Sequence, residues 1–251
     1  QTIFDQKHIN MKVVAMEAPS GDRMEFLRDL ARIIGCSQSR AARLLLTGWN
    51  ALRWCDRWEE GRLNALAVTG KTGPKAQSAD SFRLLISQLQ DLCKIWRAQP
   101  DKDAVRIGII GDIYTTIDPA INHGLQEELA GLGIITKRSI TLSGHLIHTV
   151  FGNRTQQEAA YPYLQRPIGG FAIETIGTGR QLIQRGFDGL IQVYPLSCMP
   201  EIVADGILSG IQQDYGVPVL RLIIDEHSGR AGNQTRIEAF ADMLKRRRKI
   251  A

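Results

Sequence analysis

From Val105 onward the chain repeats one pattern: a short apolar run, a break, then a segment of helical periodicity. Val105–Ile110, Gly189–Tyr194 and Val217–Ile224 are the clearest runs. They are too apolar to leave either face in water, as strands inside a parallel sheet must be. Gly133–Ile140 reads as a further strand. Helices are expected from Asp118-Pro119 to about Leu132, over Ile173–Arg185, over Pro200–Tyr215 and over Gln234–Arg248, while 141–170 reads as irregular. Asp before Pro is a cap followed by a residue preset for the first helical turn. Strand–helix alternation with short connections predicts an open, mostly parallel α/β sheet over 105–251.

The front of the chain has a different grammar. Lys12–Met16 is a short strand candidate, and 1–16 is assigned to a domain lying upstream. The segment 17–104 reads as helical, with helices over Arg23–Ile34, Arg40–Glu60 and Ser81–Trp96 and a linker at Gln99–Asp103. On the second helix Ala41, Leu45, Trp49, Leu52 and Cys55 fall on one stripe; on the third the stripe includes Leu89, Leu92, Cys93 and Trp96. Cysteines on such stripes are expected to be small buried hydrophobes. Trp54 and Trp58 are expected to pack between helices, with Arg53 and Arg57 facing water.

Composition narrows the function. Of the 251 residues 43% are hydrophobic, enough for a packed core, yet no window approaches the roughly 18–20 apolar residues of a membrane span. Polar and charged residues are spread through the first ten, with no apolar run, so no secretory signal is expected. The net charge is +5, and the five basic residues Lys245–Lys249 match it by themselves. That run is a solvated helix end that complements the macrodipole, which argues against a nucleic-acid partner. Four cysteines, at 36, 55, 93 and 198, form no C-x-x-C pair and no zinc-type spacing, so the reading is a reduced, cytoplasmic protein.

Chemistry in open α/β sheets collects beyond the carboxyl ends of the strands. Three such ends carry unusual residues: Gly111-Asp112-Ile113-Tyr114, Pro195-Leu196-Ser197-Cys198-Met199-Pro200-Glu201 and Asp225-Glu226-His227-Ser228-Gly229. Cys198 lies in a turn directly before a helix, where backbone N–H groups and the positive helix pole are expected to favour thiolate. A thiolate serves equally as nucleophile or as metal ligand. Asp225, Glu226 and His227 could bind metal, exchange protons or hydrogen-bond a ligand, and their spacing does not choose. Both loops are expected on one sheet edge, with Arg236 neutralising one carboxylate. Gly177-Thr178-Gly179 reads as an ordinary helix start rather than a phosphate loop.

The stretch Gln184–Val203, which contains Val193-Tyr194-Pro195-Leu196-Ser197-Cys198-Met199-Pro200-Glu201, resembles a known family, as do Asp225-Glu-His-Ser-Gly229 and Thr235–Leu244. It is the iron–sulfur family related to 2-hydroxyacyl-CoA dehydratase subunits, often labelled CoA-substrate enzyme activase-related proteins. Arg106–Tyr114 with Asp118–Asn122 resembles a further block, in which Glu is usual at the position of Asp112. The resemblance implies flavodoxin-like or Rossmann-like domains holding a [4Fe–4S] cluster through cysteine thiolates, with Cys198 as the matching metal ligand. It implies that Ser197, Glu201, Glu226, His227 and Arg236 surround the cofactor. The family's other ligands lie in blocks of the type C-L-P-x-K and G-P-C-R-x-G-Y-Y, expected upstream of Gln1 or from another chain. Gln1–Gln6 is similar to the segment after the second block, so the chain is expected to match the C-terminal two-thirds of a member.

By that resemblance the chain is an iron–sulfur redox protein, expected to be a homo-oligomer that takes low-potential electrons from an ATP-hydrolysing activase. Two alternatives stand beside it. One is a non-redox binding or assembly module with a structural or absent cluster. The other is a thiol enzyme with Cys198 as nucleophile and His227 as base.

Overall fold

In the computed structural model the described residues are 23–70, 87, 90–91, 104–166 and 168–250. The expected strand at Lys12–Met16 and most of the expected helix Ser81–Trp96, Cys93 included, lie outside them.

Helix α1 (Arg23–Ile34) is followed by the long α2 (Gln38–Thr69), which Ser37 caps through its side chain and Gly70 ends in the left-handed conformation. The remaining elements are β1 (Arg106–Gly111), α3 (Ile113–Ile117), α4 (Leu125–Gly131), β2 (Ile135–Arg138), α5 (Leu142–Phe151), α6 (Arg154–Ala160) and α7 (Ala172–Gln184). Then follow β3 (Gly189–Pro195), α8 (Met199–Tyr215), β4 (Val219–Ile224) and α9 (Arg230–Ile250). The four strands form one sheet in the order β2-β1-β3-β4, parallel throughout. This is the expected α/β architecture: a helical segment, then a flavodoxin-like, Rossmann-like parallel sheet covered on both faces.

The two faces separate by strand alternation. Ile107, Ile109, Ile191 and Val193 pack with Leu125 and Leu129 of α4 and Ile237, Phe240, Ala241 and Leu244 of α9. Ile110 and Leu190 pack the other way, with Ala172, Ile176 and Leu182 of α7 and Ala204, Leu208 and Ile211 of α8. The covering helices are held tightly. Gly177, in the middle of α7 and not at a helix start, leaves room for α6: a Cβ there would lie 2.2 Å from the Gln156 carbonyl oxygen.

Helix α2 lies along the edge strand β2. Trp49, Asp56, Glu60 and Asn64 are spaced to share one stripe, and each reaches across. Trp49 Nε1 donates to the Ser143 carbonyl at 3.2 Å, and Asp56 accepts from Ser143 N at 3.0 Å. Glu60 pairs with Lys137 at 2.7 Å, and Asn64 accepts the outward N–H of Thr136 at 3.2 Å. A side chain thus occupies a backbone donor that an open edge would offer to another chain. Cys55 is off this stripe and exposed, contrary to the buried position expected. The arginines do not simply face water: Arg53 covers the Trp49 ring at 4.7 Å, and Arg57 covers that of Trp54 at 5.1 Å.

Helix α2 runs on to Thr69, past its expected end at Glu60, and two further segments depart from the expected elements. Asp118-Pro119 opens a turn, because the Asp118 carboxylate accepts from Ala120 N two residues on. The helix starts only at Leu125, after His123 and Gly124 with φ of 58° and 73°; Gly124 is its N-cap residue, and the Asn122 side chain accepts from Leu125 N. The stretch 141–170 contains α5, capped by Thr141, and the polar α6, whose sequence lacks an apolar stripe.

Gly177→Ala is expected to destabilise the protein by about 1–3 kcal/mol through overpacking against α6. Gly210→Ala in α8, where a Cβ meets nothing within 4 Å, should be neutral or stabilising. Urea unfolding of both variants separates the two cases.

Candidate functional site at the β1–β3 strand ends

With strand order β2-β1-β3-β4, the chain leaves β1 toward one side of the sheet and β3 toward the other. The crevice between the C-terminal ends of these strands is the topological switch point, where ligands of open α/β folds bind. Gly111 forms one wall. Its φ is 130°, and a Cβ would sit 2.0 Å from the Val193 carbonyl oxygen, so only glycine fits. That same oxygen accepts from Asp112 N at 3.1 Å and from the Thr115 hydroxyl at 2.9 Å. Asp112 then caps α3, accepting from Tyr114 N at 2.9 Å and Thr115 N at 3.3 Å.

Cys198 forms the other wall. Its N–H closes a turn onto the Pro195 carbonyl at 3.0 Å, and its carbonyl accepts from Ile202 N to start α8, so it is the N-cap residue. The thiol is half-buried and does not gain the expected thiolate character: its pKa is raised, chiefly by burial and further by the Glu201 and Asp112 carboxylates. The Glu201 backbone N–H pulls the other way, but Cys198 closes no side-chain capping hydrogen bond. Burial and two nearby carboxylates outweigh one helix end. The turns at these strand ends leave Tyr114, Leu196 and Met199 73%, 56% and 67% exposed, a rim of large side chains in water.

Glu201 lies beneath this rim with no exposed surface. Oε1 accepts from the Thr175 hydroxyl at 2.8 Å, and Oε2 accepts from Gln192 Nε2 at 3.0 Å; the same amide also donates to the Glu201 carbonyl. Burial pushes the Glu201 pKa up to about 7, against the Gln192 and Thr175 hydrogen bonds and with help from Asp112 and Glu174. Glu201 is therefore a buried, near-neutral-titrating prop under the Cys198 turn. Ser197 is in that turn, exposed.

The loop after β4 shares this edge, since β3 and β4 are parallel and Leu196 N donates to the Ile224 carbonyl at 3.0 Å. Its polar groups mostly satisfy one another. Asp225 accepts from the Ser228 hydroxyl at 2.8 Å and from His227 N at 2.9 Å, and these contacts lower its pKa, the Ser228 bond most. Glu226 and His227 are exposed, with 3.8 Å between Oε1 and Nε2. The expected neutralising arginine goes elsewhere: Arg236 Nη2 donates to the Arg221 carbonyl at 2.6 Å. The Asx-type turn leaves Asp225 no need of a cation.

Sequence reading misses the other side of the edge. His123 Nε2 approaches the Ser228 carbonyl at 3.2 Å, tying the α3–α4 turn to the β4–α9 loop. Beside it a cleft of about 630 Å³ is lined by His123, Glu127, Glu128 and Arg230. Burial raises the Glu128 pKa. The signal here was a non-glycine residue at positive φ, which no pattern of residue types announces.

Among the described residues no three His, Cys, Asp or Glu side chains converge on a point that could hold a metal ion. No helix among them is long and apolar enough to cross a membrane. No protein-family model matches the chain, and no curated protein matches it significantly. The fold and site define a doubly covered parallel α/β protein with a half-buried thiol at its switch point.

Two measurements test these electrostatics. Glu201 carries its proton in the folded state up to about pH 7 but loses it near 4.5 when unfolded. Its contribution is therefore complete below 4.5 and is lost as pH rises through 7. Glu201→Gln should remove roughly 2–3 kcal/mol of that decline in urea-unfolding stability between pH 5 and 8. Asp112→Asn keeps the α3 cap but removes a charge beside the thiol, so the pH midpoint for Cys198 alkylation should move down.

Proposed function

We propose that the chain is the cluster-anchoring part of an iron–sulfur redox protein, in which Cys198 supplies one thiolate to a [4Fe–4S] group. The observation that carries this reading is a half-buried thiol at the β1–β3 switch point, where the two turns also carry the exposed side chains of Tyr114, Leu196 and Met199. Large apolar groups beside a thiol are what a cluster needs around it once a covering surface excludes water, because burial and hydrogen bonding set cluster potential. The donor set fits one corner of a cluster and not a whole one, since no group of three ligand-type side chains forms among the described residues and no second cysteine is placed with Cys198 there. The remaining ligands come from outside those residues or from another chain, as the resemblance to dehydratase-related proteins implies.

When bound, such a group supplies one-electron chemistry. The protein's own residues prepare its corner. Glu201, neutral below about pH 7, limits the negative charge beneath a coordinated thiolate, and Asp112 holds the β1 turn in place through α3. The resemblance further supports a cytoplasmic homo-oligomer supplied with low-potential electrons by an ATP-hydrolysing activase. Nothing in the structure links the base of the thiol-enzyme alternative to its nucleophile: no hydrogen bond or ion pair joins His227 to Cys198, and the thiol pKa is raised rather than lowered.

Protein purified anaerobically from its natural source should carry about four irons per site with brown charge-transfer absorbance. Cys198→Ser should lose most of both, while Cys55→Ser retains them. Colourless, iron-free protein would favour the binding-module alternative, and a cluster that survives Cys198→Ser would refute the ligand assignment.

A further inference from the structure

On the α7 face of the edge strand β2, remote in sequence from the Cys198 turn, a cavity of about 430 Å³ opens between β2, α5, α6 and α7. That volume suits a small ligand. Its lining includes Lys137, Arg138, Arg154 and Arg185 together with His148, and no acidic residue. Three of the cations pair with carboxylates that do not line the cavity. Lys137 pairs with Glu60 at 2.7 Å, Arg138 with Glu59 at 2.5 Å and Arg154 with Glu158 at 2.8 Å. Each pair leaves the cation further N–H donors. Arg185 carries no carboxylate partner among the described residues.

Two further lining groups have no partner among the described residues. The Ser139 hydroxyl, at the end of β2, and the Thr178 hydroxyl, on α7, are both shielded from solvent and unbonded. A helical threonine usually returns its hydroxyl to the carbonyl one turn back, and Thr178 does not. Buried hydroxyls without partners are rare and call for a missing one. Cations that converge with unmet hydroxyl donors suit an anion with several acceptor oxygens. Guanidinium forks and hydroxyls together match phosphate geometry. Leu182 and Ile147 give the cavity an apolar side for an organic body.

We propose that this cavity binds a phosphate-bearing small molecule, with Arg185, Lys137, Ser139 and Thr178 holding the phosphate. Isothermal titration of the full chain with inorganic pyrophosphate, at fixed salt, tests it. Saturable binding is expected, weakened at least about tenfold by Arg185→Gln, with Arg185→Lys intermediate because it keeps charge but loses the fork. Thr178→Val should weaken binding as well. Arg185 is exposed, so its variants should melt at the wild-type temperature, which separates lost binding from lost folding. Absence of saturable binding, or binding unchanged in the Arg185 variants, would overturn the site. Citrate binding as tightly, with the same dependence on Arg185, would overturn the phosphate assignment.

Discussion

The pairing of β1 with β3 places Ile107, Ile109, Ile110, Leu190, Ile191 and Val193 at zero exposure, on alternating faces of the sheet. Strands buried on both sides leave no place for polar side chains along their length, Gln192 excepted, so helices must cover both faces. Groups able to do chemistry are thereby pushed to the strand ends. Parallel pairing collects the ends of β1, β3 and β4 on one edge, and the reversal of direction between β1 and β3 opens a crevice there. Asp112 and Cys198 face each other across it because Gly111 lets the β1 turn close onto the Val193 carbonyl.

Gln192 is the exception that links core to site. It is the one amide in the middle of β3, fully buried, and it donates to both the side chain and the backbone of Glu201. A carboxyl kept largely neutral by burial can sit beneath the first turn of α8 without the cost of an unpaired buried charge. The same burial works against a free thiolate at Cys198, because Glu201, when ionised, and Asp112 are its nearest negative groups. The crevice thus favours the neutral thiol over the thiolate.

The helical segment has a structural role that depends on charge as much as on packing. Helix α2 covers the edge of β2 with Asn64 and with the pairs Glu60–Lys137 and Glu59–Arg138, and Arg62 reaches Glu127 of α4 at 3.1 Å. Lys137 and Arg138, which these contacts engage, also line the basic cavity, so edge protection and the cavity share two side chains.

Sequence by itself determined the sheet and most of its helices. Apolar runs such as Ile107–Ile110 and Leu190–Val193 can be buried only inside a covered sheet, and α1 and α8 matched their periodic patterns within one residue. It also singled out Asp112, Cys198 and the Asp225–His227 loop, because strand ends are legible from where apolar runs stop. Tertiary structure decided what those residues experience. The raised pKa of Cys198, the complete burial of Glu201, the diversion of Arg236 to a carbonyl and the exposure of Cys55 each depend on neighbours distant in sequence. Desolvation and Coulomb effects act through space, over a few ångströms, and no local pattern of residue types encodes which groups will share that space.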